Sequence, residues 1–211
     1  MSNAAHSREG HGASPWNKGR KVGQKRALRR QDVRKIRGRL RAEGHKRDLA
    51  LFNLAIDSKL PGCDLVALKI NDVWYRRRVR SHGSVVLQKT GLPVRFEITE
   101  ETRAAIADWL TQKKRSQIFL FPSRFHAQPH ITSRQYARIV DNWVTGIGLD
   151  ARLYGTHSIR RTKVALVLKQ TGNPKAVQLL LGHKKLESTA RYLETELTEV
   201  EALKIASKVE L

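Results

Sequence analysis

The chain has 211 residues, enough for one well-buried domain and an appendage but too few for two domains of ordinary size. Its 41 Lys and Arg against 19 Asp and Glu give a formal charge of +22, a field that favours a polyanionic partner, nucleic acid first. No long apolar run or basic amphipathic helix with a broad aromatic face points to a membrane. The single cysteine, Cys63, excludes an intrachain disulfide and a multi-thiolate metal site, and it fits a reducing, intracellular compartment.

Charge divides the chain unevenly: residues 1–47 hold 15 Lys and Arg and 3 Asp and Glu, a net +12. Residues 1–45 read as a basic arm, whose Ser/Gly/His-rich start lacks the apolar core of a signal peptide and reads as disordered. Near its end Leu28, Val33, Ile36 and Leu40 recur among arginines at helical spacing, which predicts a helix over about 28–43. That helix is either docked on the body or free to grip DNA phosphates. Trp16, set among basic residues in SPWNKGRK, either stacks on a base or anchors the arm.

From residue 46 to 59 an apolar run predicts a buried helix, and GCDLVALKI continues helically after Pro61-Gly62. The period then changes. Segments near 72–80, 84–88 and 93–98 are short, rich in Val, Ile and aromatics, and separated by turn residues, so they read as strands, with Lys89-Thr90-Gly91-Leu92 turning between the last two. Thr99, rather than Thr102, caps a helix over about 100–113, and Pro122 and Pro129 mark FLFPSRFHAQPH as a loop. Helices resume from Ser133 to about Gly146 and from His157 to about Gln170; Asn173-Pro174 opens a short one ending at Gly182, and Ser188 or Thr189 opens another. The expected fold is mainly α with a small three-stranded antiparallel β-sheet. In residues 196–211, Leu197, Val200 and Leu203 share one side of a helix whose other side is acidic, suited to packing on its own domain or on a neighbouring protomer.

Chemistry concentrates in the last quarter. THSIRR holds His157 and Arg160, LLLGHKK holds His183, and STARYLE holds Tyr192. A phenol attacking phosphate forms a covalent phosphotyrosyl bond that conserves the energy of the broken ester, so a strand can be rejoined without a cofactor. Arg160 offers a planar, permanently charged fork for phosphate oxygens, and His157, three residues earlier, shares its helix face. His82, His126 and His130 have no partners at ligand spacing, so no metal site is expected. Trp74, Trp109 and Trp143 fall in apolar patterns and read as core.

With 23 residues from Arg160 to His183 and nine from His183 to Tyr192, the chain resembles the tyrosine recombinases, or phage integrases, over about residues 46–195. The resemblance implies that family's catalytic-domain architecture, and breakage and rejoining of double-stranded DNA through a 3′-phosphotyrosine. In that scheme Tyr192 is the nucleophile, and Arg160, His157 and His183 hold the phosphate. Lys89 on a β-hairpin protonates the leaving 5′-oxygen. The resemblance further implies no metal or other cofactor, a tetramer on DNA with exchange of C-terminal segments between protomers, and a cytoplasmic, bacterial-type nucleoid-associated protein. Arg161 and the arm's Lys18, Arg20 and Lys21 are candidate DNA contacts.

Two departures accompany the resemblance. The family places a further arginine in an early helix, three residues before an acid; aligning KLPGCDLVALKINDV puts Asp64 on the acid and Pro61 on the arginine. Proline has neither charge nor donor, so it cannot bind a phosphate. Lys59 is the nearest cation, and three explanations stand: compensation by such a cation, a catalytically impaired DNA-binding relative, or an introduced substitution. The second departure is the short arm, where the family usually carries a separate helical domain that closes a clamp on DNA.

Overall fold

The computed structural model describes residues 25–112, 117–124 and 127–172. The arm through residue 24, the helices read after Asn173 and after Ser188, and the C-terminal acidic stretch lie outside the described residues, as does His126.

The stripe of Leu28, Val33, Ile36 and Leu40 forms one face of α1 (Arg30–Ala42), and all four are buried. Asp32 receives the Arg29 amide at the helix start (3.0 Å). At its end Gly44 takes a left-handed φ of 66°, and the His45 amide reaches back to the Leu40 carbonyl (2.9 Å). Of the two readings of this helix, docking on the body is the one observed. Arg37 and Arg41 both pair with Glu101, and Arg37 Nε donates to Asn53 Oδ1 (2.8 Å). Although its charge groups it with the arm, α1 shares one continuous core with the elements that follow.

The centre of that core is α2 (Lys46–Ser58), buried at every position from Ala50 to Ser58. A helix apolar on all sides must be surrounded, and α1, α5 (Glu100–Leu110) and α7 (Thr156–Thr171) pack around it. Beyond α2 come two short helices, α3 (Gly62–Val66) and α4 (Ile70–Val73). The sequence predicts a helix running on through GCDLVALKI, but the backbone at Leu68 and Ile70 pairs with residues 118–120: the Leu120 amide donates to the Leu68 carbonyl (2.8 Å) and the Ile70 amide to the Ile118 carbonyl (2.9 Å). α6 (Ser133–Thr145) starts at a reciprocal cap between Thr132 and Gln135 and buries Tyr136, Val140, Trp143 and Val144. Trp143 is fully in the core, edge-on to Phe52 at 5.2 Å, whereas Trp74 and Trp109 are half-buried against it.

The β region differs from the expected three strands. Over 72–80 the chain folds back on itself, pairing β1 (Trp74–Tyr75) with β2 (Arg78–Val79) across a tight turn at Arg76 and Arg77. Three successive arginines offer no alternate residue to face the core, and the turn returns Val79 to the interior opposite Trp74. β3 (His82–Val86) and β4 (Pro93–Glu97) form a second antiparallel pair, from His82 opposite Glu97 to Val86 opposite Pro93. The described residues therefore contain two two-stranded sheets.

Several polar groups lie inside this framework, and Asp57 gathers donors from two helices. Asp57, near the end of α2 and 3 % exposed, accepts the Thr99 amide (2.9 Å), the Thr99 hydroxyl (2.7 Å), the Thr102 hydroxyl (2.6 Å) and the Lys163 ammonium (3.3 Å). Burial alone would raise its pKa, but the Thr102 and Thr99 donors and the Lys163 charge outweigh it and hold the carboxyl below its ordinary value. Removing the carboxylate strands several buried donors and the Lys163 charge. Asp57→Ala is therefore expected to lose about 3 kcal/mol in chemical denaturation. In the unaltered protein the contribution is complete above the ordinary carboxylate value of 3.8 and is lost as pH falls through the depressed one. An Asp57→Ala variant as stable as the parent would contradict this.

Candidate functional site

The site is built from the start of α7 and the β3–β4 turn. Gly155 caps α7, its amide donating to the Ser158 hydroxyl (3.1 Å), and His157 and Arg160 follow on the same face one turn apart. Arg160 is half-buried, and its Nε is buried without a hydrogen-bond partner among the described residues. His157 keeps part of its ring open to solvent. Its pKa lies below the ordinary 6.5, first because packing removes water from the ring and then because Arg160, Arg161 and Lys89 act on it as positive charges. The shift favours the neutral ring, which can accept a proton or share one with an anion.

Lys89 reaches this neighbourhood from the second hairpin. Its turn is closed by the Gly91 amide on the Leu87 carbonyl (2.8 Å) and the Leu87 amide on the Leu92 carbonyl (2.9 Å), with Gly91 at a φ of 63°. Lys89 itself is exposed. The turn is docked on α3: Asp64 Oδ1 accepts the Gln88 amide (2.9 Å), and Gln88 Nε2 donates to the Cys63 carbonyl (3.3 Å). Asp64 thus ties the lysine-bearing turn to the segment that begins at Pro61. The structure brings together Lys89, His157 and Arg160; His183, Tyr192, Lys18, Arg20 and Lys21 lie outside the described residues.

Pro61 caps α3 with an extended backbone (φ −53°, ψ 147°) and presents no donor. Lys59 does not take its place. It ends α2 in a left-handed conformation (φ 55°), is buried, and donates its Nζ to the Asp57 carbonyl (2.9 Å). Burial and the nearby Lys163 charge lower its pKa to about 8, against the opposing pull of Asp57 and Glu97. Its ammonium therefore belongs to the Asp57–Lys163–Glu97 cluster. The charges acting on His157 do not include it.

Arg161 is 3 % exposed, with Nη1 donating to the Lys25 carbonyl (3.1 Å). Buried in this way it presents no open surface to a phosphate, and the DNA-contact role read from the sequence becomes that of an anchor. The end of the arm is laced onto the same region, with the Leu28 amide on Thr162 Oγ1 (3.1 Å), the Arg26 amide on the Leu153 carbonyl (3.0 Å) and Lys25 Nζ on the Arg152 carbonyl (2.6 Å). Of the four tyrosines, Tyr136 and Tyr154 are buried in the core and Tyr75 lies in the first hairpin, so none of these three is placed as a nucleophile beside Arg160. Among the described residues no cluster of His, Cys, Asp and Glu is arranged to hold a metal, and no helix is long and apolar enough to cross a membrane. The Asp57 cluster escapes sequence reasoning; its one signal is an acid inside an otherwise apolar helix.

A helix-borne His-x-x-Arg and a hairpin lysine thus sit on a helical body with small antiparallel sheets. The phage integrase family profile matches residues 26–199, and the chain belongs to that family. It is 28% identical over 156 residues to the tyrosine recombinase XerD of Rickettsia conorii, a match covering 68% of this chain and 50% of that protein. The crystal structure of XerA recombinase superimposes with a TM-score of 0.70 at 18% identity, covering 88% of this chain and 64% of that one. The post-cleavage complex of XerH site-specific recombinase with palindromic difH substrate gives a TM-score of 0.69 at 18% identity, covering 88% and 54%. The chain thus spans about half the length of the XerD relative and less than two thirds of either structure.

NMR titration of the imidazole should give His157 a pKa below 6.5, and Lys89→Met should raise it by removing one of the positive charges. A His157 that titrates at or above the ordinary value, or ignores the Lys89 substitution, would contradict the geometry described.

Proposed function

We propose that the protein is a site-specific DNA recombinase that breaks and rejoins duplex DNA through a 3′-phosphotyrosine. The observation that carries the reading is the helix face shared by His157 and Arg160, with the Lys89 charge acting on the same imidazole from the neighbouring hairpin turn. A phosphodiester would offset the surplus positive charge there. In this mechanism the Tyr192 oxygen attacks the phosphorus, and its proton passes to a base, a role open to His157. The bond to the 5′-oxygen breaks and Lys89 supplies the proton that the departing oxygen needs. Arg160, His157 and His183 stabilise charge on the non-bridging oxygens. Attack by a 5′-hydroxyl reverses the steps and rejoins a strand, so neither a metal nor another cofactor is called for. The XerH complex, a recombinase bound to its difH substrate after cleavage, supports the DNA partner by fold likeness. The reading extends to a tetramer on DNA, with the C-terminal helix over 196–211 exchanged between protomers, and to a cytoplasmic site of action on nucleoid DNA.

A second reading is favoured by one observation: Pro61 leaves the phosphate without the family's other arginine, and Lys59 is turned into the Asp57 cluster. On that reading the chain occupies recombination sites as an accessory or regulatory protein and cuts them slowly or not at all. Loss of one preorganised donor typically costs about a hundredfold to a thousandfold in rate. A nicked suicide DNA substrate separates the two. Pro61→Arg is expected to form the covalent adduct about a hundredfold faster than the unaltered chain, and Tyr192→Phe to form none. Equal, rapid adduct formation by the unaltered chain and Pro61→Arg would remove the accessory reading. Specific binding of the target with no adduct from either protein would sink the strand-transfer mechanism.

A further inference from the structure

The β1–β2 hairpin carries four arginines in five residues, Arg76, Arg77, Arg78 and Arg80, all exposed. Several other arginines are matched to acids, Arg37 and Arg41 to Glu101, Arg103 to Glu100 and Arg152 to Asp150. The hairpin arginines have no acidic partner among the described residues. Their backbone is also unfavourable. Arg76 and Arg77 hold φ values of 45° and 67°, the left-handed region that a Cβ makes costly. A two-residue hairpin turn with both central positions there is served best by Asn-Gly. Adjacent arginines at its tip are poor on two counts, backbone strain and mutual repulsion, and folding offers no compensation because neither side chain enters the core.

Tyr75 gives the cluster a fixed shape. Its ring is 52 % exposed, with the Arg76 guanidinium 5.2 Å and the Arg80 guanidinium 4.9 Å from its centre. Such cation–π contacts hold the two cations in a common orientation. With two guanidiniums already on it, the ring serves to order them rather than to stack on a base. The hairpin is also distinct from the Lys89 turn: the two turns close the far ends of consecutive hairpins that meet at Arg80-Ser81, where the Arg80 amide donates to the Val73 carbonyl (2.8 Å) and the Ser81 carbonyl accepts the Ile98 amide (2.8 Å).

We infer that the β1–β2 tip is a second DNA contact, a phosphate grip on duplex DNA apart from the Lys89–His157–Arg160 site. The inference rests on the DNA-binding reading above. The tip adds sequence-independent affinity.

The test exploits the conflict between strain and function. In the full chain, Arg76→Asn with Arg77→Gly gives the turn its preferred residues, so the variant should melt about 2–6 °C higher. At the same time its affinity for a long mixed-sequence duplex should fall about tenfold at low salt, and the slope of log K against log salt should shrink by about 2, one unit per lost phosphate contact. Arg76→Lys with Arg77→Lys should keep the slope. A more stable Asn-Gly variant with an unchanged slope would overturn the hairpin contact while leaving DNA binding in place. An Asn-Gly variant that melts lower would overturn the strain argument on which the inference stands. Poly-glutamate bound more tightly than duplex at equal charge would make the partner an acidic protein instead. Absence of salt-dependent duplex binding by the unaltered chain would remove the DNA-binding reading and this contact together.

Discussion

A carboxylate enclosed by protein stays ionised only where donors replace the water it has lost, and Asp57 is held in that state by two threonines and a lysine. Those donors come from three directions: Thr99 at the start of α5, Thr102 one turn later, and Lys163 on α7. The carboxylate thereby fixes the end of the central helix against both neighbours. Lys163 lies three residues beyond Arg160 on the same helix, so the rotation of α7 that presents His157 and Arg160 is set partly at Asp57. The chain that leaves α2 at this point leads through Lys59 to Pro61 and Asp64, and Asp64 in turn holds the Lys89 turn. Both halves of the candidate site are therefore referred to one buried group.

The electrostatics of the site run the other way. Burial of its ring, and then the positive charges of Arg160, Arg161 and Lys89, hold the His157 pKa below its ordinary value. An arrangement that leaves cations close together is unfavourable in the isolated molecule and becomes favourable when an anion enters. Position 61 is where this logic is incomplete. The cation best placed in sequence to repair it, Lys59, is drawn by its left-handed backbone and by the Asp57 carbonyl into the cluster behind the site. A buried amine with a pKa near 8 reports how little water it has there.

Much of the fold is legible from spacing alone. The apolar stripe from Leu28 to Leu40 predicts α1, the continuous run of residues 50–58 predicts a surrounded helix, and Thr99 marks the start of α5. The first strand departs from expectation because β propensity carries no information about whether a Tyr-Arg-Arg-Arg-Val run stays extended; the turn at Arg76 and Arg77 uses residues that turn statistics disfavour. Arg161 reads as a DNA contact because it neighbours the motif arginine, yet successive residues of a helix point about 100° apart, and this one points to the Lys25 carbonyl. The Asp57 cluster joins residues 45 and 106 positions apart in the chain, a separation at which local sequence is silent. Among the proposed catalytic residues, the His-x-x-Arg spacing and the Lys-Thr-Gly turn are visible as motifs, whereas their convergence requires the tertiary packing through Asp64 and α7.

The proposed function stands on attack by Tyr192 on a phosphodiester, with Pro61 where the family has an arginine. Mass-spectrometric mapping of the protein–DNA adduct formed by Pro61→Arg on a suicide substrate tests it directly. The expected result is a single modified peptide, containing Tyr192 joined to a 3′-phosphate. An adduct on any other residue would contradict it.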